Sequence, residues 1–125
     1  NMLPALTGEP IKPIRGHLVL GARQGSHLAL RQGQWVYIGA KGGGGFTGSK
    51  PGQHALGGPA ALKFAGQVNS DVVNGKIKRG APPAQLYNLA SDPSQGKNVI
   101  RMHAELAKKL AEQLKKIRAS KMTRP

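Results

Sequence analysis

An α+β fold, with a small antiparallel sheet of about four strands packed against one long C-terminal amphipathic helix, is what this sequence predicts. Three observations predict it. Short apolar, partly β-branched runs follow one another between residues 16 and 38 with tight turns between them, which favours an antiparallel meander. A single helical stripe lies near the end of the chain, where Leu106, Leu110, Leu114 and Ile117 recur at four, four and three residues. Nowhere do strands and helices alternate in the rhythm of a parallel sheet.

Taken in order, residues 1–15 are punctuated by Pro4, Pro10 and Pro13, which fix φ and remove donors, so an extended lead-in segment is expected. Residues 16–40 hold three strands. The first lies between Gly16 and Ala22, around His17-Leu18-Val19-Leu20, and Gly25 permits the turn after it. From Ser26 to Arg31 the pattern alternates, with Leu28 and Leu30 on one face and His27, Ala29 and Arg31 on the other. Gln32-Gly33-Gln34 turns the chain into a third strand from Trp35 to Ile38.

Residues 41–83 form a long insertion rich in glycine and lysine. Nine of the twenty positions from Gly39 to Gly58 are glycine, which excludes regular structure there. Beyond Pro59, residues Ala60 to Val68 suit one or two helical turns, and Val72-Val73-Asn74-Gly75-Lys76-Ile77 reads as a hairpin on an Asn-Gly turn. Residues 84–98 supply the last strand, Gln85 to Leu89, and a turn at Asp92-Pro93. The helix is assigned to residues 99–119, with Asn98 capping a preliminary turn and Glu105/Lys109 and Glu112/Lys116 as i,i+4 pairs; residues 120–125 are a tail.

At 125 residues the chain has room for one small domain. Its five aromatic residues, Trp35, Tyr37, Phe46, Phe64 and Tyr87, leave a thin core of Leu, Ile, Val and Ala, in which Trp35 is expected to be the largest side chain and Arg31 to pack beside it. The net charge of +14 is spread along the chain, as +3 over residues 1–40, +5 over 41–83 and +6 over 84–125. Such a field attracts polyanions of any kind, nucleic acid and sulfated polysaccharide included. The absence of cysteine excludes disulfides, thiolate-bound zinc and thiol nucleophiles. No apolar run approaches the roughly 20 residues that span a bilayer, and no signal-peptide pattern opens the chain, so no membrane partner is expected.

Few residues invite chemistry. Gly43-Gly44-Gly45-Phe46-Thr47-Gly48 formally fits G-x-G-x-x-G, but the following Ser49-Lys50-Pro51 inverts the order a phosphate-binding loop requires. What survives is a weaker possibility, in which glycine amides with Lys41 and Lys50 line the rim of an anion site. The four histidines show no metal-ligand spacing; His17 and His27 are expected to face outward, and His54, inside the Gly/Lys segment, is the best placed to touch a substrate. The five carboxylates, Glu9, Asp71, Asp92, Glu105 and Glu112, form no local metal loop.

Three stretches carry a family resemblance. Leu86-Tyr87-Asn88-Leu89-Ala90-Ser91-Asp92-Pro93, continuing through Ser94, Gln95, Gly96 and Lys97 to Asn98, resembles the closing signature of arylsulfatase-type, formylglycine-dependent sulfatases, in which L-Y-D-L runs into D-P-x-E-x-x-N and the last helix. Upstream, Leu28-Ala29-Leu30-Arg31-Gln32-Gly33-Gln34-Trp35 is similar to the family's (A/S)-(I/L)-R-x-G-x-W-K hairpin, and Met2-Leu3-Pro4-Ala5-Leu6-Thr7-Gly8 to an L-P-x-L-x-G segment that follows the catalytic domain. Val36, Asn88 and Gln95 depart from the family's Lys, Asp and Glu.

The resemblance implies a C-terminal subdomain of a sulfatase without the domain that does the chemistry, and the opening on Asn1 in mid-motif suits a piece of a longer protein. It implies calcium and formylglycine in the missing catalytic domain, that domain and a sulfated small molecule or polysaccharide as partners, and a periplasmic or secreted setting. Formylglycine is made in a C/S-x-P-x-R element. Ser91-Asp92-Pro93-Ser94-Gln95 imitates it with Gln95 in place of Arg, and Ser49-Lys50-Pro51-Gly52-Gln53 fails in the same way, so no catalytic residue is expected. Lys41, Lys50 and His54 are the expected substrate-binding residues. A basic nucleic-acid-binding module is the alternative, supported by charge alone. Apolar surface shaped for the absent domain also implies self-association of the chain on its own.

Overall fold

The computed structural model describes residues 16–21, 28–42 and 59–120. It contains a four-stranded antiparallel sheet in the spatial order β1-β2-β3-β6, formed by β1 (Leu18–Gly21), β2 (Leu28–Gln32), β3 (Trp35–Ile38) and β6 (Gln85–Asn88). Between β3 and β6 lie a short helix α1 (Pro59–Ala65) and a two-stranded hairpin, β4 (Val72–Val73) and β5 (Lys76–Ile77). The long helix α2 (Ala104–Ser120) closes the fold.

Register explains the packing. Val19 faces Leu30, Leu30 faces Tyr37, and Tyr37 faces Leu86, so one apolar row crosses all four strands. Helix α2 lays Ala107, Leu110 and Leu114 on that row, and the two sets form one core cluster, with Trp35, Leu106, Ala111 and Ile117 packed at its margin. The 3.6-residue stripe and the two-residue strand alternation thus meet on one sheet face. Lys108, Lys109, Lys115 and Lys116 lie on the solvated side of α2.

The opposite sheet face carries a second, smaller cluster of Val36, Ile38 and Tyr87. Tyr87, 1% exposed, is the largest fully buried side chain, whereas Trp35 is half-buried. The expectation that Trp35 anchors the core is therefore corrected: it stands at the end of β3, where its ring meets His103 edge-on at 5.0 Å, outside the centre of the sheet. Arg31 is exposed and its Nε donates to the Gly33 carbonyl at 3.5 Å. His17 also departs from the outward placement: it is half-buried, and its Nε2 is buried without a hydrogen-bond partner among the described residues. His27 lies outside the described residues.

Turn chemistry sets the hairpins. Gly33 (φ 56°) opens the two-residue β2–β3 turn, and Asn74 (φ 50°) with Gly75 (φ 73°) makes the β4–β5 turn with positive φ at both positions. A Cβ on Gly75 would also lie 3.1 Å from the Ala60 Cα, so the turn serves as the seat for α1.

The last helix begins at Ala104, not at residue 99. Residues 98 and 99 are engaged elsewhere: Leu86 N donates to Asn98 Oδ1 at 3.0 Å and Val99 N donates to Leu86 O at 2.9 Å. This pairing covers the outer edge of β6, a row of backbone groups that would otherwise stand open. Asn98 Oδ1 also accepts from Ile100 N at 3.1 Å, the capped preliminary turn that its side chain predicted.

Candidate functional site

The insertion and the loop before α2 are fastened together by polar contacts. Ser70 N donates to Gly96 O at 2.7 Å, Asn98 N to Ser70 Oγ at 2.9 Å, and Asn98 Nδ2 to Asp71 Oδ2 at 2.6 Å. A buried relay runs beside them. Asn69 Nδ2 donates to Gln95 O at 3.0 Å and to Tyr87 Oη at 2.8 Å; Tyr87 Oη donates to Gln85 Oε1 at 2.6 Å; and Gln85 Nε2 donates to Ala40 O at 2.8 Å. Every buried polar side chain in this relay is thereby satisfied, as a low-dielectric interior demands. Burial pushes the Tyr87 hydroxyl up to about 12; the hydrogen bond from Asn69 opposes this, and the Asp71 and Asp92 carboxylates add to it. Burial likewise raises Tyr37.

The signature turn is organised by Asp92. Its carboxylate accepts from Lys97 N at 2.8 Å, Gly96 N at 2.9 Å and Ser94 Oγ at 3.2 Å, and those backbone donors, Lys97 first, hold it below its ordinary carboxylate value. Gln95 sits at φ 57° to complete the turn. Ser91, exposed, donates to the Asn88 carbonyl at 3.4 Å. The Ser91–Gln95 stretch is thus a turn built on a carboxylate.

An open cleft of about 380 Å³ lies between the end of the hairpin and this loop, lined by Ser70, Asp71, Lys78, Asn98, Arg101 and residues 80–82. Two cations border it. Lys78 Nζ donates to Ser70 O at 2.7 Å, and Arg101 Nη2 donates to Gly80 O at 2.9 Å. Sequence reasoning passed over both residues, because what unites them is a fold contact and no motif.

Of the substrate-binding residues expected from sequence, Lys41 is described and exposed; Lys50 and His54 lie outside the described residues, as does the whole Gly43–Gly48 stretch. Lys41 stands between two fixed neighbours. Ala40 O accepts from Gln85, and Gly42 is buried, where a Cβ would press on the Asp71 Cβ at 3.2 Å.

The described residues do not fit the calcium or formylglycine that the resemblance implies for a catalytic domain. No group of three His, Asp or Glu is gathered among them, and the Asp71 and Asp92 carboxylates already accept donors from the chain itself. No chemical step is assigned to this chain. Among the described residues, no helix is long and apolar enough to cross a membrane.

No protein-family model matches the chain, and no curated protein matches it. Among solved structures, it is similar to a 6S-sulfatase of Bacteroides thetaiotaomicron described with a locus for the metabolism of multiple glycosaminoglycans. The identity is 23% and the TM-score 0.48, over 94% of this chain and 23% of that one. The chain thus spans under a quarter of the sulfatase it matches, and the likeness assigns no functional residue.

Proposed function

We propose that this chain is a non-catalytic C-terminal subdomain of a sulfatase, a sulfuric ester hydrolase, which packs on a catalytic domain and helps shape the cleft that receives an anionic sulfated substrate. One observation carries the reading: the two signature stretches, residues 28–38 and 86–98, lie far apart in sequence yet meet as neighbouring strands of one sheet, β2-β3-β6, with their turn residues in scaffold roles. The whole chain 1–125 acts as one subdomain in this reading. Lys41, with Lys50 and His54 in the segment that follows, faces the sulfated substrate and contributes charge to the rim of the cleft.

Exposed apolar groups support a docking face for the catalytic domain. Leu18 (37% exposed) and Leu20 (49%) stand on the sheet face away from α2, and Phe64, Val68 and Val73 are more exposed still. The nucleic-acid reading rests on charge alone, and among the described residues Phe64 is the one Phe, Tyr or Trp that is exposed.

Kinetics of the longer polypeptide test the reading. Lys41→Ala, Lys50→Ala and His54→Ala should raise KM for a sulfated saccharide several-fold with kcat nearly unchanged. Unchanged KM in all three variants would remove the substrate-facing role.

A further inference from the structure

We infer that Asn74, at the tip of the β4–β5 hairpin, is a site of spontaneous modification, where the side-chain amide is lost and the backbone is rerouted as an isoaspartyl linkage that unseats α1. The inference owes nothing to the sulfatase reading, so the two stand or fall separately.

Four asparagines lie among the described residues, and three of them are held fast. Asn69 is buried; its Nδ2 donates to Tyr87 Oη and Gln95 O, and its Oδ1 accepts from Asp71 N. Asn88 Oδ1 accepts from Ala90 N, and Asn98 is engaged at both Oδ1 and Nδ2. The backbone amide that follows each is committed too: Ser70 N donates to Gly96 O, Leu89 N to Gln34 O, and Val99 N to Leu86 O. Asn74 differs on every count. It is exposed, and neither its side chain nor Gly75 N makes a hydrogen bond among the described residues. Gly75 also has no Cβ to shield its nitrogen.

An uncommitted amide beside an uncommitted nitrogen is what succinimide formation needs. Gly75 N attacks Asn74 Cγ; the new C–N bond forms, the Cγ–Nδ2 bond breaks, and Nδ2 leaves as ammonia with the hydrogen that Gly75 N gives up. Water then opens the ring. Addition at Cγ restores the normal chain with an aspartate side chain, whereas addition at the main-chain carbonyl leaves the chain running through Cγ as an isoaspartate. Water is the only co-reactant. The attack requires the turn to open, and a hairpin of two residues a side opens at little cost.

The isoaspartyl product lengthens the main chain of the turn by one atom. Asn74 and Gly75 hold φ 50° and 73° to set Val73 opposite Lys76, and the Gly75 backbone lies against α1, where even a Cβ would stand 3.1 Å from Ala60 Cα. An extra main-chain atom there displaces α1 from its seat. At the base of the hairpin, Lys78 N donates to Asp71 O at 2.8 Å, so the change stays at the tip.

Incubation of the folded 125-residue chain at mildly alkaline pH, followed by peptide mass spectrometry and methylation with an isoaspartyl O-methyltransferase, tests this inference. Asn74 should convert about tenfold faster than Asn69, Asn88 or Asn98, or more, and Asn69 should accelerate once urea unfolds the chain. Asn74→Gly, which suits the positive φ and removes the amide, should abolish the methylation signal from this turn. Hydrogen exchange should show weaker protection of the α1 amides in the isoaspartyl form than in the parent chain. Protection should be unchanged in Asn74→Asp, which adds the charge without the extra atom. An Asn74 that stays intact in the folded chain while it converts in urea would overturn the inference, as would equal conversion at Asn69 in the folded chain. So would full α1 protection in the isoaspartyl form, or an equal loss of protection in Asn74→Asp.

Discussion

The side-chain amide of Asn98 donates to the Asp71 carboxylate at 2.6 Å, joining the turn before the last helix to the hairpin of the insertion. Asn98 Oδ1 at the same time accepts from Leu86 N and Ile100 N, and Nδ2 donates to Ala84 O at 3.2 Å. One side chain therefore ties together the insertion, the edge strand and the approach to α2. Asn98→Ala leaves these partly buried groups unpaired and should cost about 2–4 kcal/mol in urea unfolding. Asn98→Asp keeps the acceptor but removes the Nδ2 donor and sets a second carboxylate against Asp71, so it should cost at least as much as the alanine variant.

Tyr87→Phe tests the buried relay. The variant removes the hydroxyl that Asn69 donates to and that donates to Gln85, so Asn69 Nδ2 loses one of its two acceptors and Gln85 Oε1 loses its donor in the interior. A loss of about 1–3 kcal/mol in chemical unfolding is expected, against under about 0.5 kcal/mol for Lys109→Ala on the solvated face of α2.

Alkaline stability should follow the same residue. Tyr87 ionises at about 12 when folded and at its ordinary 10.0 when unfolded. Between those values the unfolded chain has lost the proton and the folded chain still holds it, so stability falls as pH rises through this window. Two pH units correspond to about 3 kcal/mol, and the decline is complete once the folded form has also ionised. Unfolding free energies measured at pH 9.5 and 11.5 should differ less in Tyr87→Phe than in the parent chain.

Asp92 gives the acid counterpart. Its depressed pKa adds stability that is present above its ordinary value of 3.8 and is lost as pH falls through the folded value. The carboxylate is half-buried in a surface turn, so solvent screens part of the effect. Asp92→Asn should flatten the acid limb of the stability curve and loosen protection of the Gly96 and Lys97 amides in hydrogen exchange.

Leu110 sits at the centre of the sheet–helix contact with 1% exposure. Leu110→Ala should cost about 2–5 kcal/mol, by lost transfer energy and the cavity left behind, as read by thermal or urea unfolding.

The sheet and the long helix were legible in the sequence because their signals are periodic. Leu28 and Leu30 alternate, Leu110 and Leu114 repeat at helical spacing, and both patterns point to one interface. The Asn74-Gly75 turn was legible as well, since few other pairs accept positive φ at both positions. What the sequence hid is long-range pairing. Nothing local marks Tyr87 as the buried hub of a relay from Gln95 to Ala40, and its burial displaced Trp35 from the central role that size alone predicted. The helix start shifted for a similar reason, because the edge of β6 takes Asn98 and Val99 as partners. Lys78 and Arg101 come together only through the fold.

The most direct measurement is sulfate release from an aryl sulfate, compared between this 125-residue chain alone and the longer polypeptide that the proposed role requires. The proposed role predicts no release by the isolated chain, release by the longer polypeptide, and loss of that activity when this subdomain is removed. Release by the isolated chain, or none by the longer polypeptide, would contradict it.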